Sequence, residues 1–408
     1  MGTWFILIST NLFIDPAFWF QRENEDIMAQ ESGLDERNLR FRRIRTSMEN
    51  EDLAAIILSG HGSGGRRGNI RYFADWHIWD GDAILLIPFV EEPALVFTAY
   101  SGGDRATDRW IRDVDSCLYP HEGIAVAMQK RGITSGKVGI AGMKEGLSAG
   151  ALNFLLAMFP AIEFVSADLM VDRIRSIKSP LEIDQYRELW SLTKKAMNCF
   201  IEQLKPGRTQ REVTAESIKV LREGGVSADL VLIQEGGRRG LPLDVPLKCN
   251  DVVRYYMEMC SQYGHWAEID VFCAFREQAE IEHRLMVSEI SAYEQIRKIA
   301  KPGVRLSELG TKFEELLRND GWMFDESEFH FDFHGQGMDI IEWPWFSPKP
   351  DHNQDVPLEE GMVLSYHPSR NTIPQVGWHR FVHDNILITK NGAERLSGDW
   401  DLSWRIMR

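Results

Sequence analysis

Apolar and polar positions along residues 39–175 switch between two periods. In `LRFRRIRTSMENEDL` the apolar residues recur at the spacing of one helix face, and the next run, `AAIILS`, is continuously apolar, as a buried strand is. A glycine- and arginine-rich loop, `GHGSGGRRGN`, and the segment `IRYFADW` lead to the strand patterns `DAILLIPF` and `PALVFT`. After them `GKVGIAG` predicts a strand, `SAGALNFLLAMF` a helix and `EFVSA` a strand, which together make an α/β domain. The run `RIRSIKSPLEIDQYRELWSLTKKAMNCFIEQL` places Pro180 at the start of a long helix, where a missing N–H costs nothing, and marks a boundary. Two later stretches, `KPGRTQREVTAESIKVLREGG` and `KPGVRLSELGTKFEELLRNDGW`, each read as a turn followed by an amphipathic helix, an internal repeat of helical units. The strand patterns `DVVRYYMEM`, `AEIDVFCAF`, `GMVLSYHP` and `DNILITKNG` complete an α+β second half. The expected division is an N-terminal extension at 1–27, a first domain at 28–174 and a second at 175–408.

Composition narrows the classes. A chain of 408 residues with 44% hydrophobic content has the core of a two-domain globular protein. Its net charge of −15 argues against nucleic-acid or anionic-membrane partners, which need clustered Lys and Arg. The basic run `RFRRIR` at 40–45 reads as the solvated face of a helix. Five cysteines, Cys117, Cys199, Cys249, Cys260 and Cys273, are an odd number without a CxxC pair, which points to reduced thiols and a cytoplasmic location. The apolar start `MGTWFILISTNLFIDPAFWF` lacks a basic n-region, and Asn11, Asp15 and Pro16 interrupt it, so neither a secretory signal nor a membrane span is expected.

The candidate chemistry lies late in the chain. Six of the eleven histidines (His330, His334, His352, His367, His379 and His383) fall between residues 330 and 383, and three of them mark strand ends. His334 stands between `FHFDF` and two glycines in `FHGQGMDIIEWP`; His367 ends `GMVLSYHP`; His383 precedes `DNILIT`. In `YMEMCSQYGHWAEIDVF`, Glu258, Glu268 and Asp270 flank a turn at Gly264, and Glu268 and Asp270, two apart, share one face of a strand. Carboxylates and imidazoles on one sheet suit a metal site or a general acid–base site.

The ordered series `RIRSIKSPLEIDQYR`, `KPG` plus helix, `GHWAEID`, `HGQG…E-W-P`, `LEEGMVLSYHP` and `NILITKNGAERL` resembles the creatinase/prolidase/methionine aminopeptidase superfamily over roughly residues 40–400. The resemblance implies an α/β N-terminal domain plus an α+β pita-bread C-terminal domain, and a cytoplasmic homodimer formed through the first domain. Peptidases of this family hold two metals with two Asp, one His and two Glu. Glu268 and His334 match the second Asp and the His; His367 and His383 stand where the two Glu are expected; the first Asp falls near Tyr256–Glu258, and Ile341 replaces a second histidine. That pattern argues against a dinuclear peptidase centre. Either Glu268, His334, His367 and His383 hold one divalent transition metal (Fe, Zn or Mn), or the site is metal-free as in creatinase. His383 and Asp270 match creatinase residues, whereas the creatinase catalytic histidine would fall near Arg238–Leu241, where none stands. Arg238, Arg239, Glu342, Trp76 and Trp79 are expected to bind a small-molecule substrate, the arginines by clamping a carboxylate and the tryptophans (with His77) from a second subunit. The implied function is hydrolysis of a C–N bond in a small non-peptide molecule, with His334, His367, His383, Glu268 and Asp270 as catalytic groups. A mononuclear-metal lyase, an iron-dependent oxygenase and a non-catalytic binding protein on the same fold stand as alternatives.

Overall fold

The computed structural model describes residues 35–62, 65–99, 110–236, 239–323, 329–330, 333–347, 354–366, 369–370 and 382–407. A helix over 35–50 (α1) buries Phe41, Ile44 and Met48 and leads through a turn into β1 (Leu53–His61). One correction falls on α1. Arg40, expected on a solvated face, is buried, with Nε donating to Glu36 at 2.7 Å and Nη1 to the Tyr72 carbonyl at 2.7 Å. The segment `IRYFADW`, which carried no helical period, belongs largely to a short helix, α2 (Gly68–Ala74), whose Ile70, Tyr72 and Phe73 are all buried. A helix covered on every side shows no polar face to reveal its period.

The chain continues through β2 (Asp82–Pro88), β3 (Ala94–Thr98), β4 (Asp113–Cys117), α3 (Pro120–Lys130), β5 (Gly136–Ala141), α4 (Ala149–Met158), β6 (Ile162–Ser166) and α5 (Asp168–Ser176). The six strands form one sheet in the order β4-β3-β2-β1-β5-β6. β1 is central, antiparallel to β2 and parallel to β5. Its Ile56 and Leu58 enter one apolar cluster while Ala55 and Ile57 enter another, which is why `AAIILS` is apolar without alternation.

The second half starts with α6 (Pro180–Gln203). Ser179 and Glu182 form a reciprocal capping box, and Pro180 fills the first turn. Then follow α7 (Gln210–Glu223), β7 (Ala228–Glu235), β8 (Val252–Cys260), β9 (Trp266–Ala274), α8 (Glu280–Ile299) and α9 (Leu306–Asn319). After these come β10 (Phe329–His330), β11 (Phe333–Gly335), β12 (Glu342–Phe346), β13 (Val363–Tyr366), β14 (Ser369–Arg370), β15 (Asp384–Thr389), β16 (Gly392–Arg395) and β17 (Arg405–Ile406). Among the described residues the strands make a four-stranded sheet β17-β9-β8-β7, a five-stranded sheet β12-β11-β13-β15-β16 and the pair β10-β14.

The repeated turn-and-helix phrase corresponds to a repeated unit. α6 and α7 share one apolar cluster with the four-stranded sheet, and α8 and α9 share another with the five-stranded sheet. Both `KPG` glycines, Gly207 and Gly303, adopt positive φ (84° and 91°), a conformation that disfavours any side chain.

Buried charges fasten the halves together. Arg175, at the end of α5, donates to Asn69 at 2.8 Å, to Asp339 at 3.0 Å and to Glu342. Asp339 in turn accepts the Gly68 N–H at 2.8 Å.

Candidate functional site

The site is assembled where the two C-terminal sheets meet. On the β8–β9 hairpin Glu258 lies opposite Glu268 and Tyr256 opposite Asp270, so all four point to one face. From the other sheet, β11 supplies His334, β13 supplies Ser365 directly opposite it, and His383 stands just before β15. The backbone N–H of Glu268 donates to Asn385 of β15 at 3.2 Å, joining the sheets at this point.

Glu268, 3% exposed, is the hub. The Tyr256 hydroxyl lies 2.8 Å from its Oε2, Ser365 hydrogen-bonds its Oε1, and His334 Nε2 sits 3.2 Å from the same oxygen. His383 Nε2 is more remote, 3.7 Å from Oε2. The Tyr256 hydroxyl also hydrogen-bonds Glu258. One phenolic proton cannot serve two acceptors at once, so a second proton must reside on one of the carboxyls. Glu258 is the natural holder: burial, and then the neighbouring Glu268, push its carboxyl up to about 7. At His334 burial disfavours the charged ring, but Glu268 and the Gly335 carbonyl, 3.0 Å from Nδ1, outweigh it and raise the imidazole above its usual value.

The structure brings several of the expected site residues together. Glu268, His334 and His383 converge, with Glu258 beside them. Asp270 is on the same face, yet Arg254 binds it: Nε donates at 3.0 Å and Nη2 lies 2.8 Å away, both charges buried. Asp270 is therefore a charge partner rather than a free base, and His383 Nδ1 approaches it only to 4.0 Å. Arg239 reaches the cluster from an exposed loop, its guanidinium 4.9 Å from the Tyr256 ring centre. His383 stacks on the same tyrosine, with 5.3 Å between ring centres. Arg238 and His367 lie outside the described residues.

Two expected pocket groups need correction. Trp76 is 3% exposed within the apolar core of the first domain, so it lines no pocket, whereas its neighbour Trp79 is 64% exposed. Glu342 borders a cavity of about 250 Å³ at the domain junction, with Asp172, Asp339, Trp343 and Trp345. Its carboxylate is nevertheless committed to Arg175, to Lys178 at 3.6 Å and to the N–H groups of Met338 and Asp339. It shapes the loop that follows His334. A Cβ on Gly337 would lie about 2.0 Å from that carboxylate, so a side chain there would have to displace it. Sequence reasoning left Ser365 without a role and named Tyr256 only as a position near which the family's first Asp falls; the structural signal of both was a pleat shared with Glu258 and His334.

Residues 242–390 match the family model for metallopeptidase family M24. An Xaa-Pro dipeptidase of Pyrococcus furiosus is 28% identical over 58% of this chain and 67% of its own length; that of Pyrococcus horikoshii is 29% identical over 63% and 72%. Among solved structures, the X-Pro aminopeptidase of Thermotoga maritima superposes with a TM-score of 0.75 at 18% identity, covering 90% of this chain and 99% of its own. The prolidase of Pyrococcus horikoshii gives 0.70 at 22% identity, covering 89% and 99%.

A metallopeptidase family implies a divalent metal, and the residues present test it. Both oxygens of Glu268 face hydroxyl or imidazole donors, Asp270 is neutralised by Arg254, and Tyr256 stands between the two glutamates. Among the described residues no group of three His, Cys, Asp or Glu side chains is arranged to hold a metal ion. The described side chains, which do not include His367, therefore offer no ligand set for the metal, although the fold is that of the matched structures. Over residues 242–390 the sequence is similar to the M24 metallopeptidases, and the fold is that of the prolidase and aminopeptidase structures.

Proposed function

We propose that this enzyme, a hydrolase of the M24 type, cleaves a C–N bond in a small non-peptide molecule by acid–base chemistry. The observation that carries the reading is the buried chain Glu258–Tyr256–Glu268–His334. A carboxyl held near neutrality beside a carboxylate–imidazole pair is a divided acid and base, the arrangement that lets one site both activate water and protonate a leaving nitrogen. Glu268, oriented by Ser365 and His334, takes the proton of an attacking water. Glu258, held by Tyr256, delivers a proton to the departing nitrogen. Arg239, exposed beside Tyr256, supplies a cation for a carboxylate on the substrate.

The relatives named Xaa-Pro dipeptidase support hydrolysis of a C–N bond and make dipeptides the principal competing substrate. A panel of guanidino and ureido acids and N-acyl amines, run beside Ala-Pro and Gly-Pro with and without manganese, separates the two. Turnover of a panel compound that is abolished by Glu258→Gln and by Glu268→Gln is expected. Efficient cleavage of the dipeptides, with the panel untouched, would overturn the non-peptide assignment.

A further inference from the structure

Three oxygen-bearing side chains occupy the middle of the face: Glu258 and Tyr256 from β8 and Glu268 from β9. In a metallopeptidase such a carboxylate pair is drawn together by cations. Here a neutral hydroxyl lies between the carboxylates, within hydrogen-bonding distance of each, 2.8 Å in the case of Glu268. The phenol is fixed there from several sides. Tyr256 is 6% exposed, the His383 ring stacks on it and the Arg239 guanidinium lies against it. The remaining charges have their own partners: Arg254 neutralises Asp270, and His334 faces Glu268.

We propose that Tyr256 is a positioning residue that closes this centre against divalent metals, its hydroxyl joining Glu258 and Glu268 where a cation would otherwise join them. The two carboxylates are thereby held in register without a metal, and the cationic guanidinium of Arg239 near the ring adds a repulsive charge for an entering ion. The inference concerns the metal and leaves the choice of substrate open, so its failure is separable from failure of the non-peptide reading.

Elemental analysis of the purified full-length protein, followed by calorimetric titration with Zn²⁺ and with Mn²⁺, tests it. The parent is expected to carry no stoichiometric metal and to bind neither ion at this centre. Tyr256→Phe keeps the ring and removes the hydroxyl. Loss of a hydrogen bond to charged groups frees the carboxylates, and Zn²⁺ affinity is expected to rise by roughly tenfold or more. That gain should vanish when Glu268→Gln is added. Stoichiometric micromolar binding by the parent, lost in Glu268→Gln, would overturn the proposal. So would a folded Tyr256→Phe protein that binds metal no better than the parent. Should that variant fail to fold, the parent titration still decides the matter.

Discussion

At the scale of single residues, burial sets protonation. Asp172 on α5 borders the junction cavity, and burial outweighs the neighbouring Arg175 to push its carboxyl up to about 7. Its folded value is raised above the unfolded one. The contribution to stability is therefore complete below about pH 4 and shrinks as pH climbs, until the folded carboxyl itself ionises near 7. Asp172→Asn removes that dependence. Chemical denaturation across this pH range should show the parent losing stability relative to the variant as pH rises, by roughly 4 kcal/mol at most. A constant difference would show that Asp172 is solvated as an ordinary carboxylate. The same scale explains what the residue order revealed of the site. Glu268, His334 and His383 were legible because strand ends and a two-residue repeat put them on one face. Tyr256 was marked only as a position near the family's first Asp, since a tyrosine in `VVRYYMEM` looks like any strand aromatic until its hydroxyl is seen between two carboxyls. Asp270 was placed on the correct face, but nothing in the sequence joins it to Arg254, which lies across the hairpin.

Among elements, periodicity exposed those that have one wet face and concealed those that have none. α7 and α9 were plain from their amphipathic spacing, and the central strand β1 from an unbroken apolar run bounded by loop residues. α2 was hidden because its surroundings bury it all round. Trp76, just after it, was assigned by the family resemblance to a pocket lined from a second subunit, and it packs in the core instead. The start of α6 was legible from Pro180, while the capping pair around it, Ser179 and Glu182, emerges only in the structure. Its box is buried: the Ser179 N–H donates to Glu182 at 3.0 Å, and the Glu182 N–H to the Ser179 hydroxyl at 3.1 Å. Ser179→Ala leaves the second of these N–H groups unsatisfied and should cost about 1–2 kcal/mol in urea unfolding. An unchanged midpoint would mean that the cap contributes nothing beyond local geometry.

For the whole molecule, the family resemblance leads us to propose a homodimer formed through the first domain. Trp79, standing clear of its own domain, is a side chain such a contact would cover. Sedimentation at micromolar concentration should give twice the 46.9 kDa of one chain, and Trp79→Glu should shift the population toward monomer. A parent that sediments as a single chain would refute the arrangement. The junction between the domains carries a consequence for synthesis. Arg175 precedes its acidic partners Asp339 and Glu342 by 164 and 167 residues. At a ribosome adding about 5–20 residues per second, those partners emerge roughly 10–30 seconds after the guanidinium. Through that interval a first domain that has already folded presents the guanidinium without these two carboxylate partners. Newly made first domains are thus left with an open seam, and the last quarter of the chain is the stitch that closes it.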